Sequence, residues 1–242
     1  MKACLGAVLL LLVAAPAAAA EIVATGACPA EVHDEPASVL AAARAAFAAG
    51  ADWMALSLRV TPDGQVAVAL DDAGCRPREI LPSLRTLLIA FPEGRFLLDM
   101  RGGQRDAGET MIAHLKAAAA GGIIRPGRVK VYSTGDAIIN QQAAGALPAM
   151  AAPGMVMSEA ARCLESYAER GVFPRSCIGA EIPFSIGALR NMGPYAADAV
   201  KAVHAVRGRA HVLGVSSAGD YRFAEALSPD FIWTDRIEAL GR

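Results

Sequence analysis

The chain has 242 residues, with 23 Lys and Arg against 24 Asp and Glu and a formal net charge of −1. Without a basic excess it has no electrostatic means of gripping a nucleic-acid backbone, so no nucleic-acid partner is expected. At 54% hydrophobic and 19% charged the composition is that of a folded protein rather than a disordered one. Aromatic residues make up only 5%, which excludes an aromatic platform for stacking sugars and leaves a core of Ala, Val, Leu and Ile.

Met1-Lys2 forms a short positive region, residues 5–15 are apolar without interruption, and Pro16 is followed by Ala17 to Ala20. That order reads as a signal peptide over 1–20, cleaved after Ala20, and the apolar run is too short to anchor the chain in a bilayer. The mature part, 21–242, is expected to be a single domain, periplasmic or secreted, with no stable membrane anchor. Cys28, Cys75, Cys163 and Cys177 then meet an oxidising compartment and become candidates for disulfides. No C-x-x-C spacing occurs, which leaves a zinc site unsupported.

Strand-like runs are expected at 22–25, 54–60, 66–70, 96–100, 129–133, 155–158, 178–184, 211–216 and 231–234. Helical runs fall between them at 37–49, 84–91, 108–120, 136–146, 159–170, 186–206 and 221–227, the sixth interrupted at Gly193-Pro194. Strands alternating with helices predict parallel strands joined by right-handed crossovers. With 54–60 and 66–70 taken as a hairpin about Pro62-Asp63-Gly64, eight strand positions remain, the number of a closed (β/α)8 TIM barrel. An open doubly wound sheet lacks support, because no glycine-rich phosphate loop follows a strand. On this plan Cys28 and Cys75 lie in loops at one end of neighbouring units. A Cys28–Cys75 bridge is therefore expected, with Cys163 and Cys177 left as the second pair.

The stretch PASVLAAARAAFAAGADWMALSLRVTPDGQVAVAL, residues 36–70, resembles the N-terminal signature of the glycerophosphodiester phosphodiesterase family. Its helix running into Gly50-Ala51-Asp52 and its Thr61-Pro62-Asp63-Gly64 turn match the family's spacing. Leu81-Pro82-Ser83-Leu84 is similar to the family's Pro-Thr-Leu, Leu97-Leu98-Asp99-Met100-Arg101 to its Glu-x-Lys strand, and Phe231-Ile232-Trp233-Thr234-Asp235 to its terminal Gly-Ile-x-Thr-Asp. Ser133, after the fourth strand position, fits as well. The resemblance implies the phosphodiesterase barrel and, with it, hydrolysis of glycerophosphodiesters in lipid metabolism by two histidines and a carboxylate-held calcium or magnesium ion.

The family's functional groups are mostly replaced where the resemblance places them. Its His-Arg pair falls at Ala24-Thr25 and its Glu-Asn at Ala37-Ser38. Its metal-binding Glu-x-Asp falls at Ala55-Leu56-Ser57, and its second histidine falls at Leu70, beside a retained Asp71. Asp99 stands for the third carboxylate and Arg101 for the cation. Methyl and hydroxymethyl groups do not ligate calcium as carboxylates do, and neither Ala24 nor Leu70 transfers a proton.

Asp99 and Arg101 are two apart on one strand and share a face, as do Lys130 and Tyr132. If these faces line the barrel, Asp99 and Arg101 form either an anion site or a self-satisfied pair, and Lys130 and Tyr132 extend a polar mouth. His33 lies in the loop after the first strand, near Asp34, Glu35, Asp71 and Asp72, and reads either as solvated surface or as part of a rebuilt site. Ligand-binding candidates are thus Asp99, Arg101, Lys130, Tyr132, His33 and Asp71. Two functions follow. One is an exported, catalytically degenerate barrel (a pseudoenzyme) that binds a small anionic molecule or a protein partner and needs no cofactor. The other is a divergent phosphoric diester hydrolase that uses relocated groups with calcium or magnesium.

Overall fold

The computed structural model describes residues 19–25, 39–70, 81–101, 105–152 and 157–240. Short runs of Val, Ile, Leu and Ala form the strands, where branched side chains pack well on a pleated surface. These are β1 (Glu21–Thr25), β2 (Trp53–Val60), β3 (Val66–Ala69), β4 (Phe96–Met100), β5 (Val129–Tyr132), β6 (Glu181–Ser185), β7 (Arg209–Val215) and β8 (Phe231–Thr234). The helices between them are α1 (Val39–Ala48), α2 (Leu84–Ala90), α3 (Arg105–Ala120), α4 (Ala137–Ala146), α5 (Met157–Arg170), α6 (Ile186–Met192), α7 (Ala196–Ala205) and α8 (Ala218–Ala226).

Local chemistry sets several boundaries. Asp136 caps α4 by accepting from the amides of Ile138 and Ile139 at 2.8 and 3.2 Å, and Ser83, Ser185 and Ser217 cap α2, α6 and α8 in the same manner. The expected break at Gly193-Pro194 is present. α6 stops at Gly193, whose φ of +56° favours glycine, and a 3-10 turn over Gly193–Tyr195 leads into α7. Between β2 and β3 the turn closes through Thr61 N to Gln65 O at 2.9 Å, with Gly64 at φ +81°.

The sheet runs β5-β4-β2-β1-β8-β7-β6, all parallel, with β3 antiparallel on β2. It is a curled α/β sheet with helices on its convex side. Residues Met54, Leu56, Leu58, Leu98 and Val131 face α1 to α4 in one apolar cluster, and Ile22, Ile182, Val212 and Ile232 face α5 to α8 in a second. A third cluster fills the concave side with Val23, Trp53, Ala55, Leu97, Tyr132, Ala152, Phe231 and Trp233.

Ring closure departs from the expected eight strands. Among the described residues no strand joins β5 to β6; Ala151 makes a single parallel bridge to Val131, and Ala152 N donates to Val131 O at 2.9 Å. The strand expected at 155–158 is overturned at its end, because Met157 and Ser158 open α5. A four-residue apolar run does not by itself separate a strand from the start of a helix.

Cys163 on α5 is bonded to Cys177, in the turn before β6. The expected Cys28–Cys75 bridge lies outside the described residues, as do His33, Asp34, Glu35, Ala37, Ser38, Asp71 and Asp72. No described helix is long and apolar enough to cross a membrane.

Candidate functional site

Alternation along parallel strands decides which side chains meet on the concave side. On β2 these are Trp53, Ala55 and Ser57; on β4, Leu97 and Asp99; on β5, Lys130 and Tyr132. The register pairs Ser57 with Asp99, Asp99 with Tyr132, and Leu97 with Lys130. Asp99 and Tyr132 therefore stand at one level, and Lys130 lies two residues deeper along its strand.

Asp99 is 1% exposed, and both its oxygens are occupied. Oδ1 accepts from Thr134 N at 3.0 Å, and Oδ2 accepts from Thr134 Oγ1 at 2.7 Å and Arg101 Nε at 2.9 Å. The pair expected from their spacing thus exists, held by a third residue. Arg101 lies at the rim, with a side chain 44% exposed. The rim opens on a cleft bounded by the β2–β3 turn, the start of α3 and the β5–α4 loop. Arg59 lines the same cleft. Reading the sequence missed it, although the alternation through Ala55 and Ser57 leads to it.

The second polar group sits deeper and spans the two edge strands. Lys130 Nζ on β5 is ion-paired with Glu181 Oε1 on β6, and the other oxygen of Glu181 bonds His211 Nε2 at 2.8 Å. Trp233 Nε1 donates to His211 Nδ1 at 3.0 Å, and the imidazole stacks on Phe231 with centroids 4.4 Å apart. Burial pulls the His211 pKa down, against the opposing pull of Glu181, and burial likewise lowers Lys130. Burial raises the Glu181 carboxyl, but its bond to His211 and the Lys130 charge outweigh that, so it stays ionised. Lys130 is therefore engaged by Glu181 below Tyr132, not grouped with Arg101 at the rim. Glu21 adds a further fixed charge: it accepts from Trp53 Nε1 at 2.7 Å and from Arg95 Nη1 at 2.8 Å.

The substituted positions are placed as follows. Ala55 is buried on the concave side, and Ser57 is fully buried beside Asp99. Ala24 is buried and Thr25 is half-buried at the end of β1. Leu70 packs in the convex-side cluster, so it does not supply an apolar wall to the rim. Calcium or magnesium requires a cage of oxygen ligands. The described residues do not fit such an ion: Ala55 has no donor, and Asp99 already accepts from protein donors with both oxygens. Among them no three His, Cys, Asp or Glu side chains come together to hold a metal.

This arrangement, a curled parallel sheet with its polar rim at the strand C-termini, is the fold of the glycerophosphodiester phosphodiesterases. A glycerophosphoryl diester phosphodiesterase domain from Mycobacterium tuberculosis superposes with a TM-score of 0.63 at 18% identity, covering 92% of this chain and 98% of that one. A glycerophosphodiester phosphodiesterase from Agrobacterium tumefaciens gives 0.63 at 18%, over 91% and 98%. A phosphodiesterase from Oleispira antarctica, solved with the product sn-glycerol-3-phosphate, gives 0.58 at 13%, over 93% and 98%. No protein-family model and no curated protein sequence matches the chain.

Proposed function

We propose that the protein is an exported barrel of the phosphodiesterase fold that has lost hydrolysis and binds a small organic anion at its rim. The observation that carries this reading is the state of Asp99. The one carboxylate retained from the family's Glu-x-Asp and Glu-x-Lys pattern is consumed by Arg101 and Thr134. Its neighbours Ala55 and Ser57 bring neither a metal ligand nor a general base. What remains at the rim is a cation oriented by a buried carboxylate, a geometry suited to holding an oxyanion.

The test is hydrolysis of glycerophosphocholine and of bis(p-nitrophenyl) phosphate by the purified mature chain, with and without calcium. Background turnover in every case is expected. Metal-dependent turnover that survives purification overturns the reading in favour of the divergent hydrolase. Arg101→Ala should abolish ligand-induced stabilisation in a thermal-shift screen of phosphates and carboxylates. If it merely lowers the melting temperature and leaves binding intact, Arg101 is a structural residue.

A further inference from the structure

A second recess lies on the convex side, between α5 and the turn that leads into β6, at the strand end opposite the rim. Its volume is about 470 Å3, within the range of roughly 300 to 1,000 Å3 typical of small-molecule sites. Both of its walls are fixed. The Cys163–Cys177 bond ties the middle of α5 to the turn, and Tyr167 stacks on Phe173 with ring centroids 5.0 Å apart. Little ordering is then needed when a ligand enters.

The α5 wall presents two adjacent rows at helical spacing, Glu165 and Glu169 in one, Ser166 and Arg170 in the other. Glu165, Glu169 and Arg170 are exposed and make no ion pair among the described residues. Ser166 is only 7% exposed, yet its hydroxyl makes no hydrogen bond among the described residues. A serine or threonine inside a helix can bond the carbonyl one turn back, as Thr110 of α3 does with Asp106 O at 2.8 Å. A buried hydroxyl left unpaired costs stability, and the surface that Ser166 keeps lines the recess. The opposite wall supplies Ile178, an apolar side chain that is 58% exposed.

We infer that this recess binds a small zwitterion, an amino acid or a short peptide with free ends. The ammonium is received by Glu165 and Glu169 and the carboxylate by Arg170. The Ser166 hydroxyl completes the polar contacts, and an apolar side chain lies against Ile178. Rows of opposite charge side by side favour a ligand that carries both charges. A simple anion meets the two carboxylates, and a simple cation meets Arg162 and Arg170, which line the same recess. The site does not depend on the anion-binding reading of the rim. An amino acid and a peptide share this chemistry, and the measurement separates them.

The experiment is calorimetric titration and thermal shift of the oxidised mature chain at low ionic strength with leucine, leucyl-leucine, leucinamide and N-acetyl-leucine. Leucine or leucyl-leucine should bind at least about tenfold more tightly than leucinamide, which lacks the carboxylate, and N-acetyl-leucine, which lacks the ammonium. Tighter binding of leucyl-leucine identifies a peptide as the ligand, and the reverse identifies the free amino acid. Arg170→Gln should weaken leucine by about tenfold and leave leucinamide unchanged. Glu165→Gln combined with Glu169→Gln should weaken leucine in the same way and leave N-acetyl-leucine unchanged. Ser166→Ala should weaken both zwitterions without lowering the melting temperature of the free protein, because the hydroxyl it removes has no partner there. A lower melting temperature would show that the hydroxyl is paired in the free chain, and the site would fall with it. Equal binding of leucine by the native chain and Arg170→Gln also overturns the site, as does leucinamide or N-acetyl-leucine binding as tightly as leucine. If neither zwitterion binds the native chain up to about 10 mM, the site is wrong and the reading of the rim still stands on its own test.

Discussion

Trp233 Nε1 donates to His211 Nδ1 across 3.0 Å, and this contact settles the protonation of a ring fully removed from solvent. An indole N–H can only donate, so Nδ1 carries no proton and Nε2 carries the one given to Glu181. A protonated ring would set two donors against each other at Nδ1. Burial lowers the His211 pKa from its ordinary value near 6.5, in agreement with that geometry. As pH falls below about 6.5 the unfolded chain takes up a proton that the folded chain refuses. Stability should therefore decline on acidification from that point, by at most about 1.4 kcal/mol per pH unit. Urea unfolding at pH 7.5, 6.5 and 5.5 measures the slope. His211→Gln, which retains one donor and one acceptor, should flatten it.

Lys130 and Glu181 form a second coupled pair, with side chains 17% and 8% exposed. Removing one charge from such a pair strands the other in a poorly solvated site. Glu181→Gln should destabilise the protein by about 3 kcal/mol or more, whereas Lys130→Met combined with Glu181→Gln should cost less than the sum of the two single changes. A double-mutant cycle by denaturant titration checks this. Additive losses would mean that the pair contributes nothing as a pair.

The Cys163–Cys177 bond closes a loop with a sequence separation of 14 and ties α5 to the turn before β6. In the chain-entropy treatment such a loop stabilises by about 3 kcal/mol. The double variant Cys163→Ala, Cys177→Ala should lose roughly that amount, and reduction of the native chain should bring its unfolding midpoint down to that of the variant. A midpoint unaffected by reductant would show that α5 is held by packing alone.

Much of the fold is legible in the sequence because its signals are local. The Gly193-Pro194 break, the Thr61 to Gly64 turn and the period-2 runs of β2 and β4 each follow from a few neighbouring residues. The sharing of a face by Asp99 and Arg101 is legible for the same reason. The Lys130–Glu181–His211–Trp233 chain is not, since its members come from four strands and only the curl of the sheet brings them together. Thr134 is equally hidden: nothing in its surroundings along the chain points to Asp99, thirty-five residues earlier. The start of α5 misled in the other direction, because Met157 and Ser158 follow an apolar Met155-Val156 pair in the sequence with no neighbouring residue to mark a helix start.

Strand β1 lies in the middle of the sheet, between β2 and β8. Its two neighbours come from opposite regions of the sequence, one soon after it and the other close to the last residues described. Synthesis from the N-terminus therefore leaves one side of β1 bare until β8 has emerged, and the contacts that seal the sheet are among the most distant along the chain. Such long-range pairing slows folding and exposes an unpaired edge to other chains in the interval. The order in which the strands become available thus makes β8 the keystone of the structure.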